Sequence, residues 1–220
     1  MIKAVIFDMD GVVVDSEPLY QMAEERLFRE YGVTIPQEDW KLFRGSTEAR
    51  FYELAHQRYG ITVPIEELRR KGRSYVLSAF EGDLEYKSGF IELQRDLKDR
   101  YQLGLVTSTP EQIFDKMDEQ IGIRDYFNEV ITGGMTVNNK PHPEPYLEMM
   151  RRLNVAPVES VIIEDSISGL LSALASGAWT IAITGSVPIE DMPGAHRTID
   201  SLTEISVPFL EELAQSGQSP

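Results

Sequence analysis

The sequence contains no cysteine, which excludes disulfides, thiolate metal sites and a cysteine nucleophile. This absence fits a reducing compartment. Long apolar runs are also missing: no stretch approaches a membrane span, and the four apolar residues before Asp8 are too few for a signal-peptide core. His56, His142 and His196 share no metal-ligand spacing. We therefore expect a soluble, cytoplasmic protein without a histidine metal site.

Basic residues are scarce as well. The 220 residues include 21 Lys and Arg against 36 Asp and Glu, which gives a formal net charge of −15. Such a charge repels nucleic acids and anionic membranes, so we expect neither as a partner. We also expect the protein to be a monomer. A small phosphorylated substrate remains compatible with this charge, because a bound cation and one lysine can reverse the sign inside a pocket.

Short apolar runs rich in valine and isoleucine recur along the chain between turn residues. They do not alternate polar and apolar residues, which is typical of strands buried on both faces of a parallel sheet. Helical patterns separate most of them, so the predicted fold class is α/β, a doubly wound, Rossmann-like parallel sheet. The polar tail LAQSGQSP is predicted to fray. The predicted strands are 4–7, 103–106, 129–131, 161–163, 180–183 and 197–199, and the intervening helices are 89–100, 111–120, 143–153 and 166–176.

One interval breaks this alternation, because residues 17–83 contain no convincing strand. An all-helical insert directly after the first strand predicts a cap domain, 17–83, inserted into a core domain formed by 1–16 and 84–220. Alternatively, these helices cover one face of the sheet, although four helices exceed what one crossover needs. The helical stripes are 19–31, 37–43, 47–59 and 65–80, separated by glycine and proline.

Acidic, hydroxyl and amine side chains follow the predicted strands, where ligands bind in a doubly wound sheet. Carboxylate ligands without histidine or cysteine select Mg²⁺ over zinc or copper. The pattern therefore predicts a magnesium site and a phosphate site at one sheet edge. Asp8 and Asp10 follow the first strand, Thr107 and Ser108 the second, Glu164 and Asp165 the strand at 161–163, and Lys140 precedes the helix before that strand.

These residue types together predict phosphoryl transfer. Asp8, kept ionised by the cation and by Lys140, can attack phosphorus and form an aspartyl-phosphate. Asp10 can protonate the leaving oxygen and later deprotonate the attacking water. Asp165 can share the cation with Asp8, while Thr107 binds the non-bridging oxygens and Lys140 neutralises equatorial charge.

Each group also has a structural explanation on its own. An Asp-x-Asp pair is usually a surface acid, and Lys140 alone suggests a solvated lysine. Thr107 and Ser108 can cap the helix that begins near Glu111. Glu164 and the acid after it can favour the dipole of the next helix. The convergence of all these groups at one predicted edge favours the joint site.

The segments FDMDGVVVDSEP, LVTST, KPHPEPY and VIIEDSISGLLSALASG resemble, in this order, the four motifs of the haloacid dehalogenase superfamily. The chain is similar to the β-phosphoglucomutase-like phosphatases, which carry a helical C1 cap after the first strand. The resemblance implies that residues 11–17 form a hinge to the cap, with Asp15 closing it. It also implies that Asp8 is the nucleophile and Asp10 the general acid/base. The phosphoryl group would be bound by Thr107, Lys140 and the Ser108 N–H. Mg²⁺ would be held by Asp8, the Asp10 carbonyl, Asp165 and Glu164.

The segment LFRGSTEA resembles the substrate-specificity loop of this subgroup. The resemblance implies that Arg44, Gly45, Ser46 and Thr47 meet the leaving group. The alternative is that Ser46 simply caps the next helix.

The sequence thus predicts a Mg²⁺-dependent phosphatase of a small phosphorylated metabolite. A phosphomutase is the alternative within the family. Tyr20 stands where relatives often have histidine, and Leu77 stands near the position of a lysine that the mutase uses. Water is therefore the favoured acceptor of the phosphoryl group. A phospho-accepting signalling domain is the alternative of another class, and Asp10 and the insert argue against it. The resemblance also implies phosphoryl transfer rather than dehalogenation, because dehalogenases of this superfamily have no acid at the position of Asp10.

Overall fold

The computed structural model describes residues 1–43, 48–80 and 84–215. The chain divides into two compact units. The first, here called the sheet unit, joins Met1–Asp15 to Glu85–Pro220, and the second, the helical unit, is Ser16–Leu84. The role of the helical unit as a cap stays a prediction. Among the described residues, every helix is too short or too polar to cross a bilayer.

The sheet unit contains a six-stranded sheet whose neighbouring strands are all parallel, in the order β3-β2-β1-β4-β5-β6. Continuous burial explains this arrangement, since every residue of β1, β4 and β5 is shielded from solvent. The predicted α/β class with a doubly wound parallel sheet is confirmed. The strands are β1 (Ala4–Phe7), β2 (Gln102–Pro110), β3 (Glu129–Gly133), β4 (Ser160–Glu164), β5 (Trp179–Ile183) and β6 (Arg197–Ile199).

The described residues of the helical unit form three α-helices and a core rich in aromatic residues. Phe28, Phe51 and Tyr52 lie in this core, and the Phe51 and Tyr52 rings meet edge to face with centroids 4.9 Å apart. The stripe predicted at 37–43 forms a 3₁₀ helix, Gln37–Leu42, rather than an α-helix. The helices are α1 (Glu17–Glu30), α2 (Glu48–Tyr59) and α3 (Ile65–Ala79).

The remaining α-helices belong to the sheet unit. The predicted frayed tail is wrong at 213–215, because these residues end a helix whose Leu210 and Leu213 are buried three positions apart on one face. Residues 216–220 of that predicted tail lie outside the described part of the chain. The helices are α4 (Phe90–Leu97), α5 (Glu111–Ile121), α6 (Glu144–Leu153), α7 (Ile167–Ala175) and α8 (Val207–Gln215).

Strand β2 is longer than predicted, because it continues past Val106 to Pro110. Its pairing with β3 shifts register between these two residues. Thr107 and Ser108 therefore lie within the strand rather than in a loop after it. A strand sends alternate side chains to opposite sides, and Thr107 and Thr109 are buried while Ser108 is exposed.

Candidate active site

Asp8 lies directly after β1, between the ends of its two neighbouring strands. Phe7 pairs with Leu105 of β2 and Ile163 of β4, and the Asp8 N–H donates to the Ile163 carbonyl at 2.9 Å. The sheet reverses its strand order between β1 and β4, which is where ligands bind in open α/β sheets. The side chain of Asp8 is 11% exposed, so the fold aims a nearly buried carboxylate at this edge.

The chain turns sharply after Asp8. The N–H groups of Val13 and Val14 donate to the Met9 carbonyl at 2.8 and 3.0 Å, and the Gly11 N–H donates to the Val14 carbonyl at 2.9 Å. Gly11 has a φ of +80°, which glycine adopts without strain. A Cβ at this position would overlap the carboxylate of Asp165. Gly11 therefore lets the turn after β1 approach the end of β4.

Lys140 joins the two central strands through its amine. Its Nζ donates to Asp8 Oδ1 at 2.5 Å, to Glu164 Oε1 at 2.7 Å and to the Val106 carbonyl at 3.1 Å. The side chain is buried, so the alternative of a solvated lysine is wrong. Burial alone would lower the pKa of Lys140, but the charges of Asp8 and Glu164 outweigh it and raise that pKa. Lys140 is thus a fixed cation between two carboxylates.

Glu164 is fixed by donors on both of its oxygens. Oε1 accepts from the Lys140 amine and, at 2.8 Å, from the Tyr146 hydroxyl. Oε2 accepts from the Asp165 N–H at 3.0 Å, and from the Ser166 N–H and hydroxyl at 3.1 and 3.0 Å. Burial opposes ionisation of this carboxyl, but Lys140 and these hydrogen bonds lower its pKa. Glu164 is therefore ionised. Its carboxylate also accepts hydrogen bonds from the N–H groups of Asp165 and Ser166 just before α7, which agrees in part with the predicted role of an acid at the start of this helix.

Two residues around Glu164 were not predicted. Tyr146 is fully buried, and its ring centroid lies 4.9 Å from Lys140 Nζ, which adds a cation–π contact to the hydrogen bond on Glu164. Gly169 lies in the first turn of α7, where a Cβ would overlap the Glu164 carboxylate. The first turn is capped by the Ser166 hydroxyl, which accepts from the Gly169 N–H at 3.0 Å. Both residues lie within the motif segments KPHPEPY and VIIEDSISGLLSALASG, but the sequence gives no sign of their contacts with Glu164.

Three carboxylates converge tightly enough to hold a cation. Asp8, Glu164 and Asp165 each offer an oxygen, and these oxygens lie within 4.8 Å of one another. Asp165 also accepts a hydrogen bond from the Ser186 hydroxyl. Burial and then repulsion from Glu164 raise the pKa of Asp8, and Lys140 opposes this rise. One lysine does not balance three carboxylates, so an all-oxygen donor set with excess negative charge fits a hard divalent cation.

Asp10 has a separate set of partners. Its Oδ2 accepts from the Thr109 hydroxyl at 2.7 Å and from the Thr107 hydroxyl at 3.3 Å, and the Thr109 N–H donates to Thr107 Oγ1 at 2.9 Å. No side chain caps α5, which begins after Pro110, so the alternative of Thr107 and Ser108 as helix caps is wrong. The structure therefore brings Thr107 to Asp10, while the Ser108 side chain points to solvent.

Asp15 has partners other than these carboxylates and threonines. Asp15 contacts Lys87, with its Oδ1 3.4 Å from the amine, and its N–H donates to the Glu85 carbonyl at 2.9 Å. These bonds pair the two chain segments that lead out of and back into the sheet unit, and a hinge role stays a prediction. The predicted specificity residues Arg44, Gly45, Ser46 and Thr47 lie outside the described residues.

Comparison with known proteins places this geometry in a family. The model of the haloacid dehalogenase-like hydrolase family matches residues 5–183. A phosphorylated carbohydrates phosphatase of Thermotoga maritima is 32% identical over 176 residues, which cover 80% of this chain and 82% of that protein. A validoxylamine A 7′-phosphate phosphatase of Streptomyces hygroscopicus is 28% identical over 211 residues and covers 96% of this chain and 99% of the relative.

Solved structures agree with these relatives. CbbY from Rhodobacter sphaeroides, crystallised in complex with phosphate, superposes with a TM-score of 0.82 at 25% identity, over 96% of this chain and 100% of that one. Since the family model spans most of the chain and includes the acidic strand ends, the resemblance seen in the sequence motifs is confirmed. The chain belongs to the haloacid dehalogenase-like hydrolase family.

Proposed function

We propose that this protein is a Mg²⁺-dependent phosphatase of a small phosphorylated metabolite, such as a sugar phosphate, and that it acts through an aspartyl-phosphate at Asp8. The observation that carries the proposal is the buried bridge from Lys140 to Asp8 and Glu164, next to a third carboxylate, Asp165. The relatives support the substrate class, because one is named a phosphorylated carbohydrates phosphatase and another a validoxylamine A 7′-phosphate phosphatase.

The nucleophile is Asp8, whose carboxylate lies at the centre of the strand edge. Lys140 holds Oδ1 of Asp8, so the other oxygen, Oδ2, is the atom we assign to the attack on phosphorus. The amine also provides positive charge for the equatorial oxygens of the phosphoryl group. Asp8 and Asp165, with Glu164 directly or through water, would hold Mg²⁺, which when bound supplies the charge that keeps Asp8 ionised and polarises the phosphoryl group.

Asp10 moves the protons. Its carboxyl group gives a proton to the leaving oxygen in the first step and removes one from water in the second. Thr107 and the Ser108 N–H bind the non-bridging oxygens. Water is the acceptor in this proposal, because Tyr20 and Leu77 replace side chains that the resembled mutase uses.

The test is a panel of sugar phosphates, nucleotides and phosphoglycolate, assayed for release of inorganic phosphate with Mg²⁺ and with EDTA. We expect Mg²⁺-dependent release from at least one sugar phosphate. Conversion of glucose 1-phosphate to the 6-phosphate without net phosphate release would assign the mutase activity instead. A single stoichiometric phosphorylation without turnover would assign a phospho-accepting signalling domain.

A further inference from the structure

Two threonine hydroxyls converge on one oxygen of Asp10. Thr107 and Thr109 are two residues apart on β2, so their side chains lie on the same side of the strand, and both are buried. Both hydroxyls donate to Asp10 Oδ2, Thr109 at 2.7 Å and Thr107 at 3.3 Å. The shorter bond belongs to Thr109, a residue to which the proposed mechanism gives no task.

The two hydroxyls are not equivalent once a substrate binds. Thr107 has a single hydroxyl proton, and its oxygen already accepts from the Thr109 N–H at 2.9 Å. If Thr107 donates to a phosphoryl oxygen, as proposed above, that same proton is withdrawn from Asp10. Thr109 can keep its own bond to Asp10 throughout, because this bond does not depend on the proton of Thr107.

We propose that Thr109 is a positioning residue, which holds the Asp10 carboxyl in place while Thr107 turns to the substrate; this inference rests on the proposed function. Because both hydroxyls hold Oδ2, Oδ1 is the oxygen that we assign to proton transfer. The Oδ1 proton passes to the bridging oxygen of the ester as its bond to phosphorus breaks and the Asp8 oxygen–phosphorus bond forms. In the second step water attacks phosphorus, gives its proton to Oδ1, and the Asp8 oxygen–phosphorus bond breaks.

This role predicts a dependence on the leaving group. An alkyl phosphate such as glucose 6-phosphate must receive a proton as the alcohol departs, whereas p-nitrophenolate leaves without one. A misplaced Asp10 should therefore slow transfer from the alkyl ester far more than transfer from the aryl ester. Hydrolysis of the phospho-enzyme needs Asp10 as base with either substrate, so that step should be slowed equally for both.

The experiment compares Thr109→Val, which keeps the shape and removes the hydroxyl, with Thr109→Ser, which restores it. Thr198→Val, an exposed strand threonine on β6, is the matched control. Rapid-quench measurements with the alkyl and the aryl phosphate give the rates of phospho-enzyme formation and breakdown separately. Melting temperatures report folding, and Thr109→Ala serves the same comparison if the valine variant does not fold.

We expect Thr109→Val to slow phospho-enzyme formation from glucose 6-phosphate by about tenfold to a hundredfold, and formation from p-nitrophenyl phosphate by less than about threefold. The phospho-enzyme should accumulate with the aryl substrate, and Thr109→Ser should restore both steps. Equal slowing of formation from both substrates, an unchanged alkyl rate, or a rise in KM alone would overturn the positioning role. Absence of turnover by the wild-type protein would instead overturn the proposed function. The measurement on the wild-type protein alone therefore separates the two failures.

Discussion

At the scale of single residues, Asp8 and Asp10 are close in sequence yet their carboxylates have different surroundings. Asp8 is held by the Lys140 amine, a charged donor, whereas Asp10 receives the neutral hydroxyls of Thr107 and Thr109. The charge of Lys140 opposes the rise that burial and repulsion from Glu164 impose on the pKa of Asp8, whereas the two hydroxyls hold one oxygen of Asp10 in place. These different surroundings agree with the different tasks that we propose for the two carboxyls, nucleophile and acid/base.

The nucleophile assignment is tested by Asp8→Asn. The amide has nearly the same shape, so the fold should persist, but it cannot attack phosphorus. We expect phosphate release to fall by at least about a thousandfold and the acid-stable phospho-enzyme trapped by quenching to disappear. Asp99→Asn is the matched control, because Asp99 is an exposed aspartate of the same sheet unit. Retention of a tenth of the wild-type rate would show that another group is the nucleophile.

At the scale of elements, burial explains which predictions were right. The strand cores were predictable because continuous apolar runs are typical of a central parallel sheet. The end of β2 was misjudged because its Thr-Ser-Thr segment has the composition of a turn, although two of those hydroxyls are buried against Asp10. Helix α8 was missed because its polar end was grouped with the residues that follow.

The site, like the elements, could be predicted from the sequence only in part. The meeting of Asp8, Lys140 and Glu164 followed from strand ends that share one edge, which the order of motifs already indicates. The task of Tyr146 depends on a contact between α6 and the end of β4, and the task of Gly169 depends on how closely the Glu164 carboxylate approaches α7. Neither contact can be read from the composition of the sequence. Sequence patterns thus predicted where the carboxylates gather, and only the folded chain shows what holds them.

We expect the stability of the protein to depend on Gly169 in helix α7. Alanine has a better helix propensity, by about 1 kcal/mol, but its Cβ would overlap the Glu164 carboxylate, so Gly169→Ala should destabilise the protein by about 1–3 kcal/mol net. Urea unfolding measures the change, and phosphate release should fall with it because Glu164 must move. Gly194→Ala is the control, since nothing lies within 4 Å of its Cβ. A Gly169→Ala protein as stable as wild type would mean that Glu164 is not fixed as described.

Helix α1 carries a carboxyl that should make stability depend on pH. Burial raises the pKa of Glu24 from its ordinary 4.5 to about 8, and its charge in turn raises the pKa of Tyr52, which burial has already raised. A raised folded-state pKa means that the protonated form is favoured by folding. The contribution of protonated Glu24 to the free energy of unfolding is fully present below about pH 4.5 and is lost as the pH rises from there through about 8.

Glu24→Gln should therefore remove part of this pH dependence. We expect the variant to be more stable than wild type by about 1–3 kcal/mol at pH 8 and to have a flatter stability profile between pH 5 and 8. Urea unfolding across this range measures both effects. Glu38→Gln, which removes an exposed carboxylate from the same helical unit, controls for net charge. Parallel profiles for wild type and Glu24→Gln would contradict the prediction.

At the scale of the whole molecule, charge has opposite effects on cation and substrate. A net charge of −15 attracts divalent cations and repels anionic phosphate esters. Substrate binding therefore requires local positive charge, which Lys140 begins to provide and a bound cation would complete. The candidate cation ligands Asp8, Glu164 and Asp165 all belong to the sheet unit, so the effect of the cation on stability should be unequal across the chain.

Mg²⁺ should accordingly stabilise the sheet unit more than the helical unit. A ligand that binds only the folded state adds about 2.7 kcal/mol at a free concentration a hundred times its Kd. Hydrogen exchange followed by mass spectrometry should show greater protection of β1, β4 and the start of α7 in Mg²⁺ than in EDTA, with little change in α2. Asp165→Asn should abolish most of the difference and weaken Mg²⁺ binding measured by calorimetry, because it removes one charged ligand. Equal protection of both units, or an Asp165→Asn protein that binds Mg²⁺ as tightly as wild type, would place the cation elsewhere.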